Sequence, residues 1–233
     1  MTNPLIVAHR GASKSERENT VDAFRVAKQM NADMAELDVR KTADNVLIVH
    51  HDAHIEGVAL IDMRADSLPD YVPTLAVALD ACVGMDVNAE IKNDEREPDY
   101  DRDQWVAERV VALLNSRSDH DRMLISSFDR ETINAVRRLD PTLRTGYLVV
   151  KPSPPAGQTL REFLRSVADE GHIAIHPHRK TVTAELVEAA HAVGLAVNVW
   201  TVDKVDELRS LADRGVDGLI TNVPDVARKA VFG

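Results

Sequence analysis

Short apolar runs of strand character alternate with longer segments of helical period along almost the whole of this 233-residue chain. That alternation limits the fold more than composition does. The first run, Ile6-Val7-Ala8, is followed by Val21, Ala23, Phe24, Ala27 and Met30, whose spacing predicts a helix behind an Asn19-Thr20 cap. Strands are expected at 34–38 and 46–50, joined through the turn signal Asp44-Asn45, and Pro73-Thr74 opens a helix that runs to about Cys82. Further strands are expected at 86–91, 123–126, 143–150, 172–176, 195–200 and 217–220. Helices near 103–115, 129–138, 159–169, 183–193, 203–213 and 224–231 follow them in turn. Pro152, Pro154, Pro155 and Gly157 mark a loop and not a domain linker, because the alternation resumes at once. With 46–50 taken as a hairpin extension of the second strand, eight strand–helix units predict a single-domain (β/α)8 barrel over residues 1–233. An open doubly wound sheet competes, but it wants a glycine-rich phosphate loop after the first strand, and Gly11-Ala12-Ser13 is not one.

Polar residues at the strand ends carry the chemistry. His9, Glu36, Asp38, His51 and Glu90 each stand at or just past the end of an apolar run. Glu36 and Asp38 are two apart and share a strand face, as do Glu90 and Lys92. In a closed barrel these faces meet at the C-terminal mouth, where active sites of that architecture form. A buried carboxylate costs several kcal/mol unless it is paired or holds a metal. Three carboxylates with two imidazoles therefore suggest a hard-cation site flanked by acid and base, with oxygen donors suited to Mg2+ or Ca2+ over zinc. The bland alternatives are a solvated strand edge for Glu36 and Asp38, a surface ion pair for Glu90 and Lys92, and structural histidines.

Other positions have two readings each. His50 should point away from His51 and serve packing or a turn. Glu18 either charges the start of the first helix or steers Arg10 by an ion pair, and the second is favoured. Asn19 is read as a helix cap and not a substrate contact. Trp200 lines the pocket or fills the top layer of the barrel, and His176 and His178, at another strand end, face the mouth or do not. The acidic run Asp94-Glu95-Arg96-Glu97 and Asp99 to Asp103 reads as a solvated loop, or as a lid near Glu90.

A net charge of −10 argues against a nucleic-acid or anionic-membrane surface but leaves room for a local basic pocket that binds a phosphate. Cys82 stands alone in an apolar helical pattern, so no intramolecular disulfide is possible and a buried apolar role is preferred to a catalytic thiol. No apolar run approaches 18 residues and no leader pattern opens the chain, so the expectation is a cytoplasmic protein without stable membrane insertion. Dinucleotide, Walker-type, H-E-x-x-H and cysteine-based zinc spacings are missing.

An ordered series of motifs carries a resemblance. His9-Arg10-Gly11-Ala12-Ser13, Glu18-Asn19-Thr20 and Glu36-Leu37-Asp38-Val39 resemble the opening of glycerophosphodiester phosphodiesterases. The match continues through Val49-His50-His51-Asp52, Pro73-Thr74-Leu75, Glu90-Ile91-Lys92 and Ser126-Ser127-Phe128-Asp129. It closes with Asn198-Val199-Trp200-Thr201-Val202-Asp203 and the block from Gly215 to Asn222. The resemblance implies a TIM barrel that hydrolyses glycerophosphodiesters to sn-glycerol 3-phosphate and an alcohol with a divalent cation, Mg2+ or Ca2+. It implies Glu36, Asp38 and Glu90 as metal ligands, His9 and His51 as acid and base, Arg10 and Lys92 as phosphate contacts, and Trp200 as a pocket aromatic. It leaves open which histidine is the acid, and whether water or the glycerol 2-hydroxyl attacks.

Two departures stand out. Arg17 replaces the family's usual proline, which makes the loop less rigid or adds a cation near the phosphate. Only residues 53–72 separate His51-Asp52 from Pro73-Thr74-Leu75, a shortened wall that predicts a more open mouth. The competing functions are a phospholipase-D-like hydrolase of lysophospholipid or sphingomyelin, and a phosphodiester-binding protein without turnover.

Overall fold

The computed structural model describes residues 3–233. Its strands are β1 (Leu5–Ala8), β2 (Met34–Lys41), β3 (Leu47–Val49), β4 (His54–Ile55), β5 (Val58–Ala59), β6 (Asp86–Ile91), β7 (Met123–Ser127), β8 (Arg144–Val149), β9 (Ala174–Pro177), β10 (Ala196–Val199) and β11 (Gly218–Thr221). The helices are α1 (Val21–Gln29), α2 (Leu75–Ala81), α3 (Trp105–Asn115), α4 (Arg130–Leu139), α5 (Leu160–Asp169), α6 (Ala184–His191), α7 (Val205–Asp213) and α8 (Pro224–Phe232). Strands β1, β2 and β6 to β11 pair in parallel in that order, and β11 returns to β1, so the sheet closes into the expected (β/α)8 barrel. β3 adds to β2 antiparallel through Val39 opposite Val49, as the hairpin reading predicts.

Local chemistry starts the helices where the sequence places them. The hydroxyls of Thr20, Thr74, Thr159 and Thr183 accept from the backbone N–H three residues on, and Asp129 caps α4 through Glu131 N–H. Each such cap contributes about 1 kcal/mol. Two large apolar layers fill the space between barrel and helices, one around Phe24, Leu37, Leu79 and Val110, the other around Ile6, Leu164, Val197 and Leu208. Cys82 belongs to the first layer, and burial pushes its thiol up to about 12, the behaviour of an apolar filler and not of a nucleophile.

The barrel interior is partly polar. Gly146 leaves room there for His176, whose Nε2 would lie 2.5 Å from a Cβ added at that glycine. Asn198 Nδ2 donates to the same Nε2 at 2.9 Å. His176 therefore fills the barrel instead of facing the mouth, and burial lowers its pKa to about 3, so it stays neutral. The acidic segment after β6 also departs from a solvated loop. Asp99 and Asp101 are buried, and Arg40, itself fully buried, grips both Asp99 oxygens at 2.9 and 2.7 Å and Glu97 at 2.8 Å.

Residues 53–72 form the β4–β5 hairpin and two short 3-10 turns over a satellite core of Ile48, Ile55 and Leu60. Arg17 lies 4.1 Å over the Tyr71 ring, so its guanidinium is engaged with this segment and not with the barrel mouth. Among the described residues no helix is long and apolar enough to cross a membrane.

Candidate active site

β1 ends in a tight turn that sets the first two site residues. Arg10 and Gly11 both take left-handed backbone, with φ of 57° and 81°. Gly11 packs so closely on α1 that an added Cβ would lie 2.6 Å from the Ala23 carbonyl carbon. The turn aims the Arg10 N–H at Glu36 Oε2, 2.8 Å away.

Glu36 and Asp38 on β2 and Glu90 on β6 are 3%, 1% and 8% exposed. Each offers an oxygen within 4.8 Å of the others, a spacing that can hold one metal ion. Two cations sit against them. Arg10 Nη1 donates to Glu18 at 2.9 Å, while its Nε lies 3.2 Å from Asp38 Oδ2 without the alignment of a hydrogen bond. Lys92 Nζ is 2.8 Å from Glu90 and 3.6 Å from Asp38. Burial beside Asp38 and Glu90 drives the Glu36 carboxyl well above the usual range, and burial also raises Glu90 against the pull of Lys92. Burial alone would raise Asp38 too, but Lys92, Arg10, His51 and the Asn19 amide together hold it below its ordinary value.

Asn19 is thus not the helix cap, a role taken by Thr20. Its Nδ2 donates to Asp38 Oδ2 at 2.8 Å and its Oδ1 accepts the Asp38 N–H at 3.2 Å, a two-point clamp that fixes the carboxylate. Asn19 adopts a φ of 59° to make it, in the left-handed region that asparagine tolerates.

Hydrogen-bond logic gives the tautomers of the two histidines. Asp203 can only accept, so Asn222 must donate Nδ2–H to it, at 2.7 Å. That leaves Asn222 Oδ1 to accept from His9 Nδ1–H at 2.7 Å and frees His9 Nε2 as an acceptor. Burial and the neighbouring Arg10 charge lower the His9 pKa below 6.5, with Asn222 pulling the other way. His51 likewise directs Nδ1–H to a carboxylate, Asp52 Oδ1, at 2.7 Å. Its carbonyl accepts from Arg40 Nε at 2.9 Å, which ties the histidine loop to β2. His50 turns away and contacts the Asp52 carbonyl, the turn role expected of it.

A cavity of about 70 Å3 is lined by His9, Arg10, Glu36, His51, Glu90 and Lys92. Asn88 and the apolar side chains of Phe128, Leu148, Trp200 and Ile220 complete its lining. Trp200 donates Nε1–H to the His176 carbonyl at 2.7 Å and packs edge-on to Phe128 and His178. The structure thus brings the expected site residues together. Two of them adjoin the cavity instead of lining it: Asp38 stands behind Glu36 and Glu90, and Glu18 reaches it through Arg10. No residue of 53–72 lines it. Sequence reasoning missed Arg40, Asn88, Phe128, Asp203 and Asn222 as site-building residues. Arg40 and Asn88 stand two residues from Asp38 and Glu90, and that period was the available signal.

The same arrangement has relatives. A sequence profile of the glycerophosphoryl diester phosphodiesterase family matches residues 9–68 and 60–226. The glycerophosphodiester phosphodiesterase of Caldanaerobacter subterraneus is 29% identical over 246 residues, covering 95% of each chain. A glycerophosphodiester phosphodiesterase crystal structure from Parabacteroides distasonis superposes with a TM-score of 0.85 at 26% identity, covering 98% of this chain and 97% of the other. An Oleispira antarctica phosphodiesterase, solved with its product sn-glycerol-3-phosphate, shares the fold at a TM-score of 0.85 and 21% identity, over 99% and 98% of the two chains. With the profile spanning the barrel from the His9 turn to the strand that leads to Asn222, this chain is an enzyme of the glycerophosphoryl diester phosphodiesterase family.

Proposed function

We propose that the enzyme cleaves small glycerophosphodiesters to sn-glycerol 3-phosphate and an alcohol, using one divalent cation, Mg2+ or Ca2+, and proton transfer by His9 and His51. The observation that carries this reading is the cavity in which both histidines turn Nδ1 away to fixed acceptors while a buried carboxylate triad stands beside them.

The donor set fits a hard cation. Three buried carboxylates face only Arg10 and Lys92, so one negative charge is left over in a site where burial already penalises it. All three donors are oxygens, the chemistry of Mg2+ and Ca2+. When bound, the cation would draw negative charge from a phosphoryl oxygen. Glu36, Asp38 and Glu90 hold it in this reading.

The chain's own groups do the rest. Arg10 Nε is a buried donor without a hydrogen-bond partner, suited to a phosphate oxygen, and Glu18 keeps the guanidinium in place. Lys92 supplies a second positive charge. His9, paired with a neutral amide and half-buried beside Arg10, takes up the nucleophile's proton at Nε2. His51, whose Nδ1–H is held by the Asp52 carboxylate, is assigned the second proton transfer, to the departing alcohol oxygen. Trp200 and Phe128 cover the apolar side of the substrate.

A leaving-group comparison tests the assignment. H51A should lose about 10²–10⁴ in rate on an alkyl diester such as glycerophosphocholine. It should stay near wild type on a glycerophospho-p-nitrophenyl ester, whose leaving group needs no proton. H9A should be impaired on both. Equal loss of H51A on the two esters, or rescue of H9A by the activated one, contradicts this division of roles.

A further inference from the structure

Strands β2 and β6 run side by side in parallel, with Glu36 opposite Asn88 and Asp38 opposite Glu90. Residues two apart on a strand share a face. These four side chains therefore form a square on one surface of the sheet, with strands about 4.8 Å apart. Three corners are the buried carboxylates. The fourth, Asn88, is 2% exposed and lines the same cavity as Glu36 and Glu90. Its Oδ1 is buried with no hydrogen-bond partner.

A buried amide oxygen almost always has a partner, so this one asks for a ligand. Apart from Arg10 Nε, which lies 3.2 Å from Asp38 Oδ2, the donors around the square are engaged with other acceptors. The Arg10 N–H goes to Glu36 and its Nη1 to Glu18, Lys92 goes to Glu90, and the Asn19 amide goes to Asp38. Ser126, opposite Glu90 on β7, also has an unpartnered hydroxyl, but it does not line the cavity. Side-chain amide oxygens are regular ligands of hard cations, and a neutral donor adds coordination without adding to the negative charge of the triad.

We infer that Asn88 supplies a fourth, neutral oxygen to the cation held by Glu36, Asp38 and Glu90. The inference rests on the cation reading above.

The full-length, metal-stripped protein can be titrated with Tb3+, an oxygen-seeking stand-in for Ca2+. Emission lifetimes in H2O and D2O then count the waters on the bound ion. N88A should weaken Tb3+ binding about tenfold or more and add one coordinated water. N88D, which keeps an oxygen at the corner, should retain the wild-type water count. N88S, too short to reach, should behave as N88A and replaces it if N88A does not fold by circular dichroism. Wild-type affinity and water count in folded N88A or N88S would overturn the inference. No Tb3+ binding by the wild-type protein above that of E36Q would instead overturn the cation reading itself.

Discussion

Replacing Arg40 with methionine should cost this barrel more stability than any other single change near the site. The Arg40 side chain is fully buried and holds Asp99 by two hydrogen bonds, Glu97 by one and the His51 carbonyl by another. Methionine fills similar volume but leaves Asp99 buried and unpaired. Breaking a buried pair from one side costs about 3–5 kcal/mol, most of it from the stranded charge. In a chain of this size each kcal/mol moves Tm by about 2–4 °C, so R40M should melt roughly 6–20 °C below wild type. If the stranded charge is the cause, adding D99N should recover a substantial part of that loss. The double variant should still turn over more slowly than wild type, because nothing replaces the Arg40 Nε bond that positions His51. Scanning calorimetry with steady-state kinetics on R40M, D99N and R40M/D99N reads both effects. An R40M Tm within about 2 °C of wild type, or no recovery in the double variant, would refute the reasoning.

Two further variants probe the β1 turn and the carboxylate triad. G11A places a Cβ 2.6 Å from the Ala23 carbonyl carbon on a backbone with φ of 81°, so it should lower Tm by several degrees and shift His9 and Arg10 together. A G11A Tm equal to wild type, measured by calorimetry, would show that the turn adapts freely. E36Q should raise the Tm of the cation-free protein by at least about 2 °C at neutral pH, because it removes one of three like charges while Gln can still accept the Arg10 N–H. The sign with pH follows from linkage. The folded-state pKa of Glu36 lies above its unfolded value near 4.5, so its charge costs nothing at lower pH and the cost grows as pH rises from the unfolded pKa toward the folded one. The Tm gap between E36Q and wild type should therefore widen from pH 4.5 toward pH 8. A gap that is flat or narrows contradicts the buried-triad electrostatics.

The features legible in the sequence were those written in short-range period. Alternation of apolar runs is enough for the barrel, and the two-residue spacings of Glu36 with Asp38 and of Glu90 with Lys92 are enough to place those side chains at its mouth. Roles that depend on a partner far along the chain were not legible. Asn19 looks like a cap because its partner, Asp38, lies 19 residues on and the next residue, Thr20, performs the capping. Asp99 and Asp101 look solvated in an acidic run, yet the cation that buries Asp99 is 59 residues earlier. His176 sits inside the barrel because glycine occupies position 146 on the neighbouring strand. Arg17 turns to Tyr71 for the same non-local reason.

The most direct test is release of sn-glycerol 3-phosphate from glycerophosphocholine by the metal-stripped enzyme, with and without added Mg2+ or Ca2+ and with E36Q alongside. A cation held by the triad predicts little release without added metal, saturable release with it, and loss of that dependence in E36Q. Equal release by the stripped and reloaded enzyme would contradict a cation held by Glu36, Asp38 and Glu90.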